Sequence, residues 1–262
     1  MKRVLRHGFT LIELLVVIAI IGILSTFAVV QLAGSREKAR VAKGASMSGQ
    51  LMRSLGDDVA ARWDFDECAG TTFTDMSEYG NDGTLVSGIT FSTITPTGQG
   101  CSLSLNGTNQ LTIPAPPLSA RQTKTMWVYI VGPVPGNQYL IDEGVNNNTI
   151  QIYASRILVS ENLPVTGFVL SNATVTTGKW YFIAVSHDGT SISLYLDGSL
   201  DKKQALAGIA PTGPITIGNY GGGGGYRLTG SLDDVRLFNR ELTSQEIRHM
   251  YVEGLSRHVV AR

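Results

Sequence analysis

The sequence predicts a long N-terminal α-helix followed by an all-β jelly-roll sandwich. Three observations predict it. Apolar residues crowd the first 33 positions, whereas the remainder is rich in Gly, Thr, Ser and Asn. Beyond residue 62 the apolar residues recur in short alternating runs, the period of a half-buried strand. Those runs are punctuated by Asn-Gly and Asp-Gly pairs, which supply the positive φ that tight hairpins need. The chain of 262 residues has room for one or two domains, and about 200 residues suffice for a two-sheet core. Its 21 basic and 21 acidic residues cancel, so no nucleic-acid partner is expected; nucleic-acid-binding domains carry a basic face.

Residues 1–8, MKRVLRHG, form a leader with Lys2, Arg3 and Arg6 and no acid. Leu14–Leu24 is then an apolar run, and apolar character continues to Ala33. A helix over Phe9–Ala33 would be about 37 Å long, enough to cross a bilayer core. The basic flank keeps the N-terminus cytoplasmic and sends the rest outward, although Arg36, Lys38, Arg40 and Lys43 weaken that asymmetry. A secretory signal peptide would share the basic start and the apolar core, but not the acid inside the apolar segment, Glu13. A carboxylate at bilayer depth costs about 2.5–3.5 kcal/mol on insertion scales. It needs a positive partner at the same depth, and the natural one sits on another copy of the chain.

Gly8-Phe9-Thr10-Leu11-Ile12-Glu13 resembles the prepilin leader-peptidase motif of type IV pilins and pseudopilins. The likeness is nearly residue-perfect over Gly8–Gly22 and looser to about residue 60. It implies cleavage by a prepilin peptidase between Gly8 and Phe9 and N-methylation of Phe9. It also implies that the Phe9 ammonium pairs with Glu13 of a neighbouring subunit. A buried ion pair stabilises poorly but specifies register well. The chain would then sit as a single-pass protein of the inner membrane, with its C-terminal domain outside, before assembling with copies of itself into an extracellular filament. Two variants of this reading are a minor pilin or adhesin, whose jelly-roll domain is a calcium-dependent carbohydrate- or protein-binding module, and a pseudopilin of a secretion system. No Pro precedes Pro96, so the helix lacks the proline kink of many pilins. Loss of the leader leaves 18 basic residues of the 21, against 21 acidic ones.

The segment from Ser35 to about Val59 keeps helical character, with Met47, Leu51, Leu55 and Val59 on one face. That face suits the chain's own domain or neighbouring helices. Gly56-Asp57-Asp58 is the expected break. The transmembrane and stalk helix is therefore placed at 9–61, the globular domain at 62–254 and a tail at 255–262. Within the domain, strands are expected at Ser102–Leu105, Thr125–Ile130, Thr149–Tyr153, Trp180–Ser186 and Ser191–Leu196, the last framed by Asp188-Gly189 and Asp197-Gly198.

Four landmarks carry a second resemblance. They are Trp63-Asp-Phe-Asp-Glu67 with Gly80-Asn-Asp-Gly83; Gly178-Lys-Trp-Tyr181 through Tyr195-Leu-Asp-Gly198; Pro214–Gly218; and Gly230–Leu242 followed by a short helix around Ser244–Val252. In this order they resemble the laminin-G-like, or concanavalin-A-like, jelly-roll domains. That fold hosts lectins, adhesion modules and glycosidases, so it implies a surface domain for a glycan or surface-protein ligand without choosing one.

A glycosidase needs two carboxylates about 5–9 Å apart across a cleft. Asp64 and Asp66 share a face, but Trp63 and Phe65 already form the core face and the pair opens the domain, so no enzyme is expected. Calcium wants six to eight oxygens; Asp75, Asn81, Asp82 and Asp233 are the candidates. Alternation places Asp233 on the inward face with Val235 and Leu237, whereas Asp75 and Asn81 could instead only shape turns. Tyr220 and Tyr226 flank five glycines, a candidate sugar-stacking loop or a plain flexible hairpin. His7, His187, His249 and His258 show no metal or catalytic spacing. Cys68 and Cys101, an even count behind an export signal, favour a disulfide worth roughly 3–4 kcal/mol.

Overall fold

A computed structural model describes residues 11, 12, 14–18, 20, 21 and 55–256, except 97, 109, 115, 132–136, 145–147, 162–166, 209, 212 and 221–226. Near the N-terminus the described residues are helical. Leu11, Ile12, Leu14, Leu15 and Ile18 are each more than half exposed. A helix with apolar side chains facing outward on this scale is built to be covered by lipid or by other helices. Gly8, Phe9, Glu13 and most of the predicted helix lie outside the described residues. Among the described residues no helix is long and apolar enough to cross a membrane.

The globular unit opens at Leu55 and a 3-10 turn, Gly56–Asp58. The sequence places its break there, but the first strand follows at once. β1 is Val59–Trp63, so the domain begins ahead of Arg62 and Val59 belongs to a strand rather than to a helix. Leu55 is fully buried in the domain's own core, with Val59 packed beside it.

Fifteen further strands follow among the described residues: β2 Thr72–Phe73, β3 Gly83–Thr84, β4 Ile89–Ser92, β5 Ser102–Asn106, β6 Leu111–Ile113, β7 Arg121–Ile130, β8 Asn137–Glu143, β9 Thr149–Tyr153, β10 Arg156–Glu161, β11 Gly167–Leu170, β12 Trp180–Asp188, β13 Ser191–Leu196, β14 Ser199–Ala205, β15 Ile215–Ile217 and β16 Thr229–Phe238. A C-terminal helix spans Ser244–Ser256. β9 and β13 match the expected bounds to the residue.

The strands form an eight-stranded sheet, β14-β13-β12-β7-β16-β5-β4 with β1 also on β16, and a six-stranded sheet, β11-β10-β9-β8-β15-β6. β5 and β1 share one edge of β16 end to end: Thr229–Leu232 pairs with β5, and Val235–Phe238 with β1. The main core includes Trp63, Phe65, Leu103, Met126, Val128, Ile141, Ile152, Ile183, Val235 and Leu237. Alternation sends the intervening residues of β7 and β12 outward. Trp127, Phe182 and Ala184 there meet Leu242, Ile247 and Met250 of the C-terminal segment in a second cluster. Trp127 stacks on Tyr251 at 5.6 Å between ring centroids. The C-terminal segment thus covers part of the larger sheet's outer face.

Candidate functional site

Cross-strand partners lie on the same face of a sheet. On β9, β10 and β11 the core takes Ile150, Ile152, Ile157, Val159 and Val169. Their neighbours therefore face outward: Thr149 beside Ser160, Gln151 beside Leu158, and Phe168 beside Ser160. On β8, Tyr139 pairs with Gln151 and Asp142 with Thr149. This face carries hydroxyl, amide and aromatic groups; Thr149, Gln151, Ser160 and Asp142 are buried there and Tyr139 is half-buried. Thr149 and Ser160 hydroxyls are 2.7 Å apart, and Gln151 Nε2 donates to Thr149 Oγ1 at 3.3 Å. Gln151 Oε1 is buried and has no hydrogen-bond partner among the described residues.

Tyr220 joins this face from the far end of β15. Its ring centroid is 5.3 Å from that of Tyr139. Gly218 makes the approach possible. Its N–H donates to the Leu140 carbonyl at 3.0 Å, its φ is +82°, and a Cβ there would lie 2.1 Å from Leu105 Cδ2. Burial pushes the Tyr139 hydroxyl up from its usual pKa, only partly offset by Asn137 and Gln151, so it stays protonated and able to donate. Arg227 lies opposite Tyr139 through an isolated bridge, next to the inward Leu228; its Nε has no partner among the described residues. Tyr153 and Phe168, 45% and 52% exposed, extend the aromatic surface along the same face. Apolar rings beside a few converging polar groups form the surface that takes a molecule with one apolar and one hydroxylated side.

The sequence singles out Tyr220, and the structure places it beside Tyr139; Tyr226 lies outside the described residues. Tyr139, Gln151 and Asp142 were missed. The period-two pattern of β8 and β9 marks them as one face, but nothing local says that this face meets Tyr220.

The acidic candidates divide into two places. Asp75 accepts the N–H groups of Arg62 and Asn81 at 2.9 and 2.8 Å, the Ser77 N–H and hydroxyl, and Asn81 Nδ2. Burial alone would raise its pKa, but the three backbone donors outweigh it and hold the carboxyl below its usual range. Asp82 accepts the Asp75 N–H at 2.8 Å. Asp75 therefore organises a loop, with its oxygens already occupied.

Asp233 lies elsewhere, and its face is a correction. It pairs with Trp127, and Arg236 pairs with Thr125, so β16 carries one extra residue there. Asp234, at φ 46°, takes the bulge. The alternation resets, and Asp233 turns to the outer Trp127 side rather than inward with Val235. It lines a cavity of about 70 Å³ with Asp66, Gln99, Gly100 and Trp127. Asp234 instead makes a two-point contact with Arg236, at 2.7 and 2.6 Å. The four calcium candidates thus do not converge on one donor set. Among the described residues no three acidic, His or Cys side chains gather as a metal cage.

The carboxylates that open the domain are tied to backbone and neighbours. Asp66 Oδ1 accepts the Cys101 N–H at 2.9 Å, Glu67 Oε1 the Thr74 N–H at 2.7 Å, and Asp64 lies 3.6 Å from Arg62. Cys68 and Cys101 form a disulfide, which closes the loop over this edge.

Comparison with known proteins agrees with both ends of the chain. A prokaryotic N-terminal methylation motif matches residues 4–29. The concanavalin A-like lectin/glucanases superfamily matches residues 105–248, more than half of the chain. Among solved structures, the binding domain of Paraclostridial Mosquitocidal Protein 1 is 13% identical with a TM-score of 0.63, covering 75% of this chain and 52% of that one. The botulinum neurotoxin serotype D binding domain is 15% identical with a TM-score of 0.62, covering 78% and 52%. Domain 4 of AbnA, a GH43 extracellular arabinanase from Geobacillus stearothermophilus, solved with arabinotriose, is 15% identical with a TM-score of 0.58, covering 74% and 98%. The chain thus spans about half the length of the toxin domains it matches, and identities this low establish the fold alone. No curated protein matches. By topology and by family match, the chain belongs to the concanavalin A-like lectin/glucanases superfamily, joined to a prokaryotic N-terminal methylation motif.

Proposed function

We propose that the protein is a subunit of a type IV pilus-like extracellular filament whose jelly-roll domain binds carbohydrate. The methylation motif and the outward apolar side chains of the N-terminal helix support the first half. By this reading the prepilin peptidase cuts after Gly8, the chain waits in the inner membrane, and assembly buries the helix against other copies. Phe9 and Glu13 set the register. One observation carries the second half: Tyr139 and Tyr220 meet on the outer face of the smaller sheet beside Gln151. Aromatic rings stack on the apolar face of a sugar, while amide and hydroxyl groups meet its hydroxyls. The arabinotriose complex of the arabinanase domain shows that a domain of this fold can hold an oligosaccharide. Catalysis forms no part of the reading, because the acids at the domain opening hold loops. Calcium forms none either, because Asp75 and Asp82 already accept backbone N–H groups and Asp233 lies elsewhere.

The test is binding of the detergent-purified full-length protein to a glycan array, then titration of the best glycan. Tyr139→Ala and Tyr220→Ala should each weaken binding about tenfold, the equivalent of about 1.4 kcal/mol. Tyr79→Ala, exposed on a different loop, should leave it unchanged. Equal affinity in all three variants would sink the assignment of this face.

A further inference from the structure

One pair of charges lies in the sandwich interior. Lys124 on β7 and Glu143 on β8 belong to different sheets, and both point inward. Lys124 alternates with the core residues Met126 and Val128, and Glu143 sits opposite Ile215. Lys124 Nζ is 2.6 Å from Glu143 Oε2, with side chains only 4% and 0% exposed. Gln122, two residues earlier on the same inward face, approaches the Glu143 carboxyl. His187 pairs with Gln122 across β12 and β7. It is itself buried, and its Nδ1 accepts the Gly189 N–H at 2.8 Å.

An ion pair holds two sheets poorly at such a place. Each ion gives up its hydration, and the mutual attraction repays that only when every remaining polar atom is satisfied. Glu143 Oε1 has no hydrogen-bond partner among the described residues. Burial also pushes the Glu143 carboxyl up from its usual pKa, with Lys124 offsetting only part of the rise. Passing a proton from Nζ to the carboxylate leaves an amine against an acid, dry and fixed at contact distance. Held pairs of this kind react as if at very high concentration.

We propose that Lys124 and Glu143 condense into an amide that cross-links the two sheets. Nζ attacks Glu143 Cδ, the N–C bond forms, and the Cδ–OH bond breaks. The hydroxyl leaves as water with a proton taken from Nζ. No oxidant, cofactor or second protein is needed. The product removes both buried charges and one of the two carboxyl oxygens. Gln122 is placed to meet the oxygen that stays. The amide ties β7 of the larger sheet to β8 of the smaller one, so the two layers could not be sheared apart without breaking a covalent bond.

Peptide mapping of the full-length protein tests this directly. After reduction, denaturation and trypsin, Lys124 is the sole cleavage position between Arg121 and Arg156. The expected product is one peptide, Gln122–Arg156, uncut at Lys124 and lighter than its linear mass by one water. Recovery of separate Gln122–Lys124 and Thr125–Arg156 peptides at full mass would overturn the proposal. Lys124→Met fixes the origin of the water loss: its Gln122–Arg156 peptide should show the full linear mass. A water loss that persists in that variant would also overturn the cross-link.

Discussion

Asp75 is a buried carboxylate satisfied by three backbone and two side-chain donors. Five donors from Arg62, Ser77 and Asn81 surround its two oxygens. Asp75→Ala strands those donors, and orphaned buried donors cost about 1–3 kcal/mol each. A loss of about 3 kcal/mol in denaturant unfolding is expected; a loss below about 1 kcal/mol would show that the loop does not depend on it. Glu246 works similarly at the start of the C-terminal helix. The Thr243 N–H donates to Glu246 Oε2 at 2.7 Å, the Glu246 N–H donates back to Thr243 Oγ1, and Arg240 joins at 2.7 Å. Burial opposes ionisation there, but these contacts win and bring the carboxyl from 4.5 down to about 2. Because its folded pKa is depressed, Glu246 contributes fully above pH 4.5, and the contribution is lost as pH falls through about 2. Stability measured from pH 6 to 2 should therefore fall across that window, and less steeply in Glu246→Gln. Thr243→Ala should cost about 1 kcal/mol as a lost cap. The Thr243-Ser-Gln-Glu246 signature is visible in the sequence, whereas the Arg240–Asp58 contact at 2.6 Å spans the whole domain and is not.

At the scale of elements, regular alternation was readable and its interruptions were not. β9 and β13 fall where the period puts them; Asp197-Gly198 suits the positive φ that ends β13, whereas the turn after β9 holds Ala154 and Ser155 at positive φ, which no residue type there announces. β16 reads as one continuous alternating strand, yet the extra residue at Asp234 flips Asp233 to the other face. The bulge answers to its pairing with β7, which lies in another part of the chain, and to the buried Arg236 two residues on. Leu55 shows a half-legible element. Its four-residue spacing from Val59 marks an apolar stripe, but the stripe ends in a turn and a strand, and both residues pack on their own domain. Leu55→Ala should cost about 2–5 kcal/mol, as for a filled core position, read from the denaturation midpoint. The Cys68–Cys101 disulfide closes 33 residues of separation across β2 to β4. Replacing both cysteines with serine should lower stability by about 3 kcal/mol; an unchanged midpoint would mean that the loop is held by its hydrogen bonds instead.

For the whole molecule, the two ends of the chain were legible to different depths. The N-terminal motif is local, so a few residues around Gly8 and Glu13 carry it. The candidate binding face is not local. Tyr139 and Tyr220 are distant in sequence and meet only because β15 pairs with β8. Alternation tells which residues share a face, not which strands adjoin. The two ends also make separable predictions. Glu13→Ala should abolish fibres while leader cleavage proceeds, whereas Tyr139→Ala should leave fibres intact and weaken their glycan binding about tenfold. Normal fibre yield from Glu13→Ala would dismiss its role in register. The most direct measurement is the N-terminal mass of this chain in fibres sheared from the cell surface. The expected result is a fibre component that begins at N-methylated Phe9. A chain beginning at Met1, a chain cut beyond the apolar run at Ala33, or its absence from the fibres would contradict the filament assignment.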